Sequence, residues 1–296
     1  MGDEARTRYP LVLVPGLLGF VRLPGYPYWY RIDEALRRAG AQVHPVLVSS
    51  LHGSEVRGEQ LLAEIERICA QTGADRVNLI GHSQGALTAR YAAAVRPQRV
   101  ASVTSVAGPN QGSELADYLA RQAPPGSLRE RALVAMMHGL ARLLARLERG
   151  YQGPPLPLDA RAAHASLTSA GVAAFNRRYP QGLPETWGGQ GPAEVNGVRY
   201  YSWSGTLQPG RTERGGNRLD LSHYCCRLFA RCFVREAGEN DGMVGRRSAH
   251  LGRVIRDDYP LDHLDIVNQS HGRVGLGVDP VALYLEHAAR LRADGC

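Results

Sequence analysis

A glycine-flanked turn constrains this chain more than any other stretch. A short, mostly apolar run, 77–80, leads into Gly81-His82-Ser83-Gln84-Gly85, and a helix-like segment, 86–95, follows at once. Strand, tight turn and helix in this order are what a nucleophile elbow requires. The two glycines allow a sharp reversal that a Cβ would obstruct, so Ser83 can stand at the tip with its hydroxyl exposed. The pentapeptide alone is common, but its context predicts a nucleophilic serine rather than an ordinary turn residue.

Strand-like and helix-like segments alternate through the first hundred residues. We predict strands at 9–14, 43–48, 77–80 and 100–106, and helices at 30–39, 58–72 and 86–95. This alternation favours an α/β fold with a mostly parallel central sheet flanked by helices. A length of 296 residues suits one large domain with insertions, so we expect a single domain over residues 1–296.

The alternation stops after Gly112, and we predict a helical lid or cap insertion over residues 113–180. Its main helix, 127–149, lies between Pro/Gly-rich flanks that can act as hinges, and a second helical stretch spans 160–178. The apolar residues at helical spacing that would form the lid are Met136, Met137, Leu140, Leu143 and Leu144. They predict either a mobile lid over an apolar cleft or an ordinary surface helix packed on the core.

The second half of the chain carries fewer signals. Glu194 to Ser204 is predicted to be a β-hairpin with a type I′ turn at Asn196-Gly197. Helices are predicted at 221–234 and 280–291, on either side of several polar loops.

A serine nucleophile needs a base to take its proton and an acid to orient that base. In α/β-hydrolases the order along the chain is Ser, Asp/Glu, His. Downstream of Ser83, Asp241 lies in a turn, and His263 lies in a loop 22 residues later. Spacing alone leaves alternatives open, namely Asp257, Asp258 and Asp262 for the acid and His223, His250, His271 and His287 for the base.

An oxyanion hole in such a fold takes one amide from the residue after the nucleophile and one from the loop after the first strand. These criteria predict the amides of Gln84 and Leu17, because Gly16 lets the main chain approach the substrate. A plain strand-to-helix turn is the alternative for the loop at 15–20.

Composition excludes several classes of protein. All 35 basic residues are arginines, and they are scattered among acids, so the net charge of +7 does not indicate nucleic-acid binding. No run of 18 apolar residues predicts a transmembrane segment. The N-terminus lacks the apolar core of a signal peptide, so the chain is expected either to stay in the cytoplasm or to be the mature form of a secreted protein. The five cysteines show no metal-ligand spacing, and free, mostly buried thiols are expected.

These residues together resemble the bacterial true-lipase family typified by Pseudomonas, Burkholderia and Proteus lipases, and the Proteus-like branch most closely. The similar blocks extend over nearly the whole chain, at 9–20, 54–61, 77–85, 101–106, 175–182, 195–201, 240–245 and 263–269. The resemblance implies an α/β-hydrolase fold with Ser83 as nucleophile, Asp241 as acid and His263 as base. It also implies a structural Ca²⁺, a hard cation that prefers oxygen ligands. The implied ligands are side-chain oxygens of Asp220, Asp265 and Gln269 and the backbone carbonyl of Arg273.

The chain also departs from the family pattern. Pro15 stands where the family has histidine, and the family's disulfide is missing, with Gly188 and Arg247 at the expected cysteine positions. The insertion between Gly205 and Asp220 makes Asp220 the least specific of the implied Ca²⁺ ligands.

The expected function is carboxylic-ester hydrolysis, most specifically triacylglycerol lipase activity at an oil–water interface, with no dedicated foldase. An esterase or polyesterase without interfacial activation is the alternative within enzymes. A non-catalytic hydrolase-fold protein that binds lipids or a partner is the alternative outside them.

Overall fold

The computed structural model describes residues 3–296. Its strands are β1 Leu11–Val14, β2 Arg22–Leu23, β3 Tyr26–Pro27, β4 Val43–Pro45, β5 Val77–His82, β6 Val100–Val106, β7 Glu194–Val195, β8 Val198–Gly205 and β9 Arg253–Tyr259. Its helices are α1 Ile32–Arg38, α2 Ser54–Thr72, α3 Gln84–Val95, α4 Glu114–Gln122, α5 Leu128–Leu147, α6 Ala160–Ala165, α7 Ser169–Arg178, α8 Leu221–Phe229, α9 Gln269–Gly272 and α10 Pro280–Ala293.

A seven-stranded sheet organises the chain. Its order is β4-β1-β5-β6-β8, with β7 and β9 pairing along the outer edge of β8. All pairs are parallel except β7 with β8, which form the predicted hairpin through Asn196 and Gly197, both at positive φ. The short pair β2–β3 forms a separate ribbon.

The sheet is covered on both faces because its central strands are apolar throughout. Successive side chains of β1 point to opposite faces: Leu11 and Leu13 join a core with α1 and α10, whereas Val12 and Val14 join a core with α2 and α3. The mostly parallel α/β sheet predicted from the sequence is thereby confirmed. The elements most relevant to function, β5, α3 and the loops after β1 and β9, meet at one edge of this sheet.

Two predicted helices differ from those observed. The stretch 160–178 is not one helix, because it breaks between α6 and α7, where Thr168 caps α7 by accepting from the amide of Gly171. The helix predicted at 221–234 ends at Phe229 and continues as a 3₁₀ turn, Ala230–Cys232. The first half of the chain differs mainly at element ends; for example, α2 begins four residues earlier than predicted, at Ser54.

Four helices, α4 to α7, lie between β6 and β7, in the stretch predicted to form a lid. The division of the chain into one domain with a mobile lid stays a prediction. No helix in residues 3–296 has the length and apolar character needed to cross a membrane.

Candidate active site

Ser83 lies at a strained bend between β5 and α3. Its φ of 55° and ψ of −127° lie outside the regions that L-residues ordinarily adopt. The bend requires the flanking glycines: a Cβ on Gly81 would lie 2.3 Å from the Gly85 carbonyl oxygen, and one on Gly85 would lie 2.3 Å from that of Val14. The Ser83 amide donates to the Val106 carbonyl at 2.9 Å, so β6 fixes the bend from below.

Asp241 and His263 form a buried hydrogen-bonded pair. His263 Nδ1 lies 2.7 Å from Asp241 Oδ2, and both side chains are almost fully buried. Because a carboxylate only accepts, Nδ1 donates in this pair, so the neutral imidazole would have its lone pair on Nε2. The other carboxylate oxygen accepts from the amides of Met243 and Val244, at 2.8 and 2.7 Å. Three hydrogen bonds therefore hold the Asp241 carboxylate, and the carboxylate in turn orients the His263 imidazole.

His82 links this pair to the bend that carries Ser83. Its Nε2 lies 2.9 Å from the His263 carbonyl oxygen, and the two imidazole rings are 4.7 Å apart. The residue before the predicted nucleophile thus holds the main chain of the predicted base beside the elbow.

The competing acids and bases have other partners. His250 lies 3.0 Å from Asp257, and His223 lies 2.8 Å from Asp262. His287 contacts Thr104, Asp258 pairs with Arg256, and His271 stacks against Tyr26. Of the candidates in residues 3–296, Asp241 and His263 are the ones hydrogen-bonded to each other and tied to the elbow.

The predicted oxyanion loop lies directly against Ser83. A Cβ on Gly16 would be 2.8 Å from the Ser83 Cβ, so glycine is what permits this approach. Within residues 3–296, no main-chain carbonyl accepts from the amide of Leu17 or of Gln84. Both predicted donors are therefore available to a ligand.

A fully buried arginine orients the main chain of the predicted oxyanion loop. Arg57 Nη2 donates to the carbonyls of Pro15 and Gly16, at 2.6 and 3.2 Å. In a trans peptide the C=O and the following N–H point in opposite directions, so Arg57 turns the Leu17 amide away from itself. Burial lowers the pKa of Arg57 to about 10, partly offset by Tyr28, which leaves the guanidinium charged at neutral pH.

A hydrogen-bonded chain joins this loop to the loop of the predicted base. The Gly16 amide donates to Tyr28 Oη at 3.0 Å, and Tyr28 Oη lies 2.7 Å from His82 Nδ1. Since the His263 carbonyl can only accept, His82 carries its proton on Nε2, and its Nδ1 accepts a hydrogen bond from the Tyr28 hydroxyl. Burial, followed by the nearby His263, lowers the pKa of His82 well below its usual value, so this imidazole stays neutral.

Comparisons with known proteins agree with this geometry. A family model described as alpha/beta hydrolase fold matches residues 9–249. A triacylglycerol lipase of Pseudomonas fragi is 52% identical over 295 residues, covering 100% of both chains. One from Vibrio cholerae is 47% identical and covers 98% of this chain and 89% of that one.

The chain belongs to the bacterial lipases of the α/β-hydrolase family. The crystal structure of Staphylococcus hyicus lipase, at 16% identity, aligns with a TM-score of 0.62 over 99% of this lipase-family chain and 97% of its own. At that identity the likeness shows the fold alone.

In this lipase-family member, α5 packs on the predicted oxyanion loop. Leu17 and Leu18 pack in a cluster with Ala141 and Met137 of α5. A cavity of about 440 Å³ lies beside the loop, between Phe20 and the C-terminal end of α5, and neither Ser83 nor His263 lines it.

The five predicted lid residues do not share one face. Met137 and Leu144 pack inward, whereas Met136, Leu140 and Leu143 are exposed to solvent.

Two of the predicted Ca²⁺ ligands, Asp220 and Asp265, are buried near each other. Burial, then the charge of Asp262 and more weakly that of Asp220, raises the pKa of Asp265 well above its usual value. Asp265 Oδ1 and Asn217 Oδ1 are buried without a hydrogen-bond partner in the described residues. Unpartnered oxygens among clustered carboxylates are what a hard cation would satisfy, so the residues fit Ca²⁺. His223 lies in the same cluster as Asp262 and Asp265. Its Nδ1 is 2.8 Å from Asp262 Oδ2, and its Nε2 is buried without a partner in the described residues.

Sequence reasoning missed several residues of the site. No sequence signal distinguishes these residues, because a buried arginine on an amphipathic helix or one tyrosine in an aromatic run looks like any other. They are Arg57, Tyr28, His82 and Asn217.

The two positions where the family has its disulfide lie close together in the structure. A Cβ on Gly188 would lie 3.6 Å from the Cβ of Arg247. All five cysteines are free; Cys69, Cys226 and Cys296 are buried, but Cys225 is exposed and Cys232 is half-buried.

Proposed function

We propose that this chain is a triacylglycerol lipase that works through a Ser-His-Asp triad and an acyl-enzyme. The observation that carries the proposal is the Asp241–His263 pair, tied by His82 to the bend that carries Ser83. Relatives at 52% and 47% identity that bear the name triacylglycerol lipase support the substrate class.

The mechanism follows from the chemistry of these groups. His263 Nε2 takes the Ser83 proton as Oγ attacks the ester carbonyl, and Asp241 stabilises the resulting imidazolium. The amides of Leu17 and Gln84 stabilise the oxyanion. His263 then delivers its proton to the leaving alcohol, and the acyl group stays on Ser83. Water, deprotonated by His263, attacks the acyl-enzyme. As the second oxyanion collapses, the bond between the acyl carbon and Ser83 Oγ breaks, His263 returns the proton to Oγ, and the fatty acid leaves.

A Ca²⁺ ion would stabilise the geometry of this site without contacting the substrate. Side-chain oxygens of Asp220, Asp265 and Gln269 would hold it, with the carbonyl of Arg273. Bound there, the cation would supply a charge that neutralises the clustered carboxylates. Since Asp265 lies two residues from His263, these ligands would fix the loop of the base.

An esterase without interfacial preference is the second candidate. The exposed side chains Met136, Leu140 and Leu143 on α5 favour the lipase, because apolar groups on a surface helix are suited to contact an oil phase. Comparison of triolein emulsion with soluble tributyrin separates the two functions.

The decisive experiment is replacement of the nucleophile. Ser83→Ala should abolish p-nitrophenyl ester turnover and labelling by a fluorophosphonate, whereas Ser169→Ala, on the exposed start of α7, should retain both. Turnover or labelling that survives in Ser83→Ala would refute the assignment. Absence of both in the unchanged chain would favour the non-catalytic alternative.

A further inference from the structure

Helix α8 presents its apolar side to solvent. Leu221, Tyr224 and Leu228 follow i, i+3, i+7 spacing and so lie on one side of the helix. They are 78%, 48% and 59% exposed, whereas His223 and Cys226 on the opposite side are buried. An ordinary surface helix buries its apolar side. In contrast, α8 has an apolar side that is exposed to solvent.

Neighbouring segments extend this apolar surface. Leu219 precedes the helix and Val234 follows it, with exposures of 78% and 79%. Leu276, half exposed, packs beside Gly215, and its amide donates to the Arg211 carbonyl at 3.2 Å. Residues 211–235 together with Leu276 are called the α8 surface below.

Exposed arginines surround these apolar side chains. The six are Arg211, Arg214, Arg218, Arg227, Arg231 and Arg235. Within residues 3–296, Arg227 alone among them lies within 4 Å of a carboxylate, that of Glu213, at 2.9 Å. The other acid of the segment, Asp220, is buried. The exposed arginines Arg38 and Arg67, on α1 and α2, instead pair with glutamates.

We propose that the α8 surface docks the protein on an anionic lipid surface. Leucines and a tyrosine that point outward suit the boundary between headgroups and acyl chains. Arg214, Arg218 and Arg231 beside them pair with no carboxylate in residues 3–296, and such guanidinium groups suit lipid phosphates. The inference rests on the proposed function, since a lipase meets its substrate at a lipid interface. In a two-fold contact through this surface, each copy would face the same cluster of positive charge, which disfavours a second copy as the occupant.

The position of α8 connects docking to the candidate active site. On its buried side, the Cys226 carbonyl oxygen lies 2.5 Å from where a Cβ would stand on Gly242, next to Asp241. A helix with its side chains is about 10 Å thick, so docking through α8 holds the Asp241 loop about that far from the lipid. At the other end, Glu114 of α4 accepts from the amides of Val234, Arg235 and Glu236, at 2.7, 2.8 and 3.0 Å. The α8 surface is thus tied to the start of the predicted lid.

The test is co-sedimentation with vesicles of ether-linked phosphatidylcholine, with or without ether-linked phosphatidylglycerol, lipids that offer no ester to hydrolyse. The charge variant is Arg214→Gln/Arg218→Gln/Arg231→Gln. The matched control is Arg38→Gln/Arg67→Gln/Arg99→Gln, in which Arg99, like the other two, pairs with a glutamate away from the α8 surface. The unchanged chain should prefer the anionic vesicles, and salt of about 1 M should remove that preference. The charge variant should lose about fivefold in partitioning per arginine, and the control much less.

A second variant, Leu221→Ser/Leu228→Ser, tests the apolar contribution and should bind both vesicle types more weakly. Equal partitioning of the charge variant and its control would overturn the proposal. So would a dimer in sedimentation velocity that Leu221→Ser/Leu228→Ser converts to monomer, because a second copy would then cover this surface. Turnover of a soluble ester by the unchanged chain tests the proposed function separately, since vesicle binding requires no hydrolysis.

Discussion

At the scale of single residues, Tyr28 is the position where the fold and the predicted chemistry are most directly coupled. Tyr28→Phe would leave the Gly16 amide and His82 Nδ1 without their partner, and each buried unsatisfied group costs about 1–3 kcal/mol. We expect a lower melting temperature and a fall in kcat of roughly tenfold on a soluble ester, with a smaller change in KM, as the Leu17 amide loses its position. Tyr30→Phe is the control, because the Tyr30 hydroxyl has no hydrogen bond within residues 3–296. Equal kcat values for the two variants would contradict this role.

Glu236 makes stability depend on pH. Burial raises the pKa of Glu236 from 4.5 to about 7, the amides of Arg247 and Ser248 oppose this, and the charge of Glu114 adds to it. The folded state therefore binds a proton that the unfolded chain releases between those pH values. This stabilisation, about 3 kcal/mol, is complete below pH 4.5 and is lost as pH rises through about 7.

Glu236→Gln should flatten the pH dependence, because the amide oxygen can still accept from Arg247 and carries no charge. Urea unfolding at about pH 5 and about pH 8 measures the difference. Glu239→Gln, three residues on and half-buried, should keep the slope of the unchanged chain. If Glu236→Gln kept the pH dependence of the unchanged chain, Glu236 would not be the cause of that dependence.

At the scale of elements, the sequence predicts the strands, turns and helices that are determined by residues close together in the chain. The strand, turn and helix around Ser83 follow from two glycines and an apolar run, and β6 was predicted at its observed bounds. The break between α6 and α7 depends on a threonine cap. Leu144 alone of the leucines predicted for the lid packs inward, and this depends on contacts with the core under α1 and α10. Roles of Arg57 and Tyr28 come from distances across the fold, which no pattern in one sequence encodes.

The outer side of α5 should govern the response to an interface. Met136→Ser/Leu140→Ser/Leu143→Ser removes exposed apolar groups, so the free energy of unfolding should change little. The ratio of the rate on triolein emulsion to the rate on soluble tributyrin should fall several-fold. Met137→Ser, on the inner side against the Leu17 cluster, should instead lower stability. An unchanged ratio in the triple variant would argue against a lid.

Ca²⁺ binding would couple α8 to the loop of His263. Asp220 caps α8 by accepting from the Ser222 amide at 2.8 Å, and Ser222 Oγ lies 2.8 Å from Ser270 Oγ. Chelation should therefore lower the melting temperature, because a ligand at about 1,000 times its Kd contributes about 4 kcal/mol. Asp265→Asn should lose this Ca²⁺-dependent shift, whereas Asp257→Asn should keep it. No shift in the unchanged chain would exclude a resident Ca²⁺.

At the scale of the whole molecule, one missing crosslink can be restored. Gly188 and Arg247 lie on either side of a segment that includes β7, β8, α8 and Asp241. The distance of 3.6 Å between a Cβ on Gly188 and that of Arg247 matches the roughly 3.5–4.5 Å found in disulfides. Closing a loop of about 60 residues contributes about 4 kcal/mol, and a Cys in the left-handed conformation of Gly188, at φ 76°, costs about 1–2 kcal/mol.

Gly188→Cys/Arg247→Cys should therefore be more stable than the unchanged chain by about 2–3 kcal/mol when oxidised. It should be less stable than the unchanged chain when reduced. The ion pair between Arg247 and Glu239 is then lost, and a Cβ at position 188 strains the left-handed backbone there. Urea unfolding with and without a reductant measures both, and each single variant serves as a control that cannot form this bridge. Equal stability of the oxidised and reduced double variant, with the bridge shown by mass spectrometry, would mean that other contacts already restrain this segment in the unfolded chain.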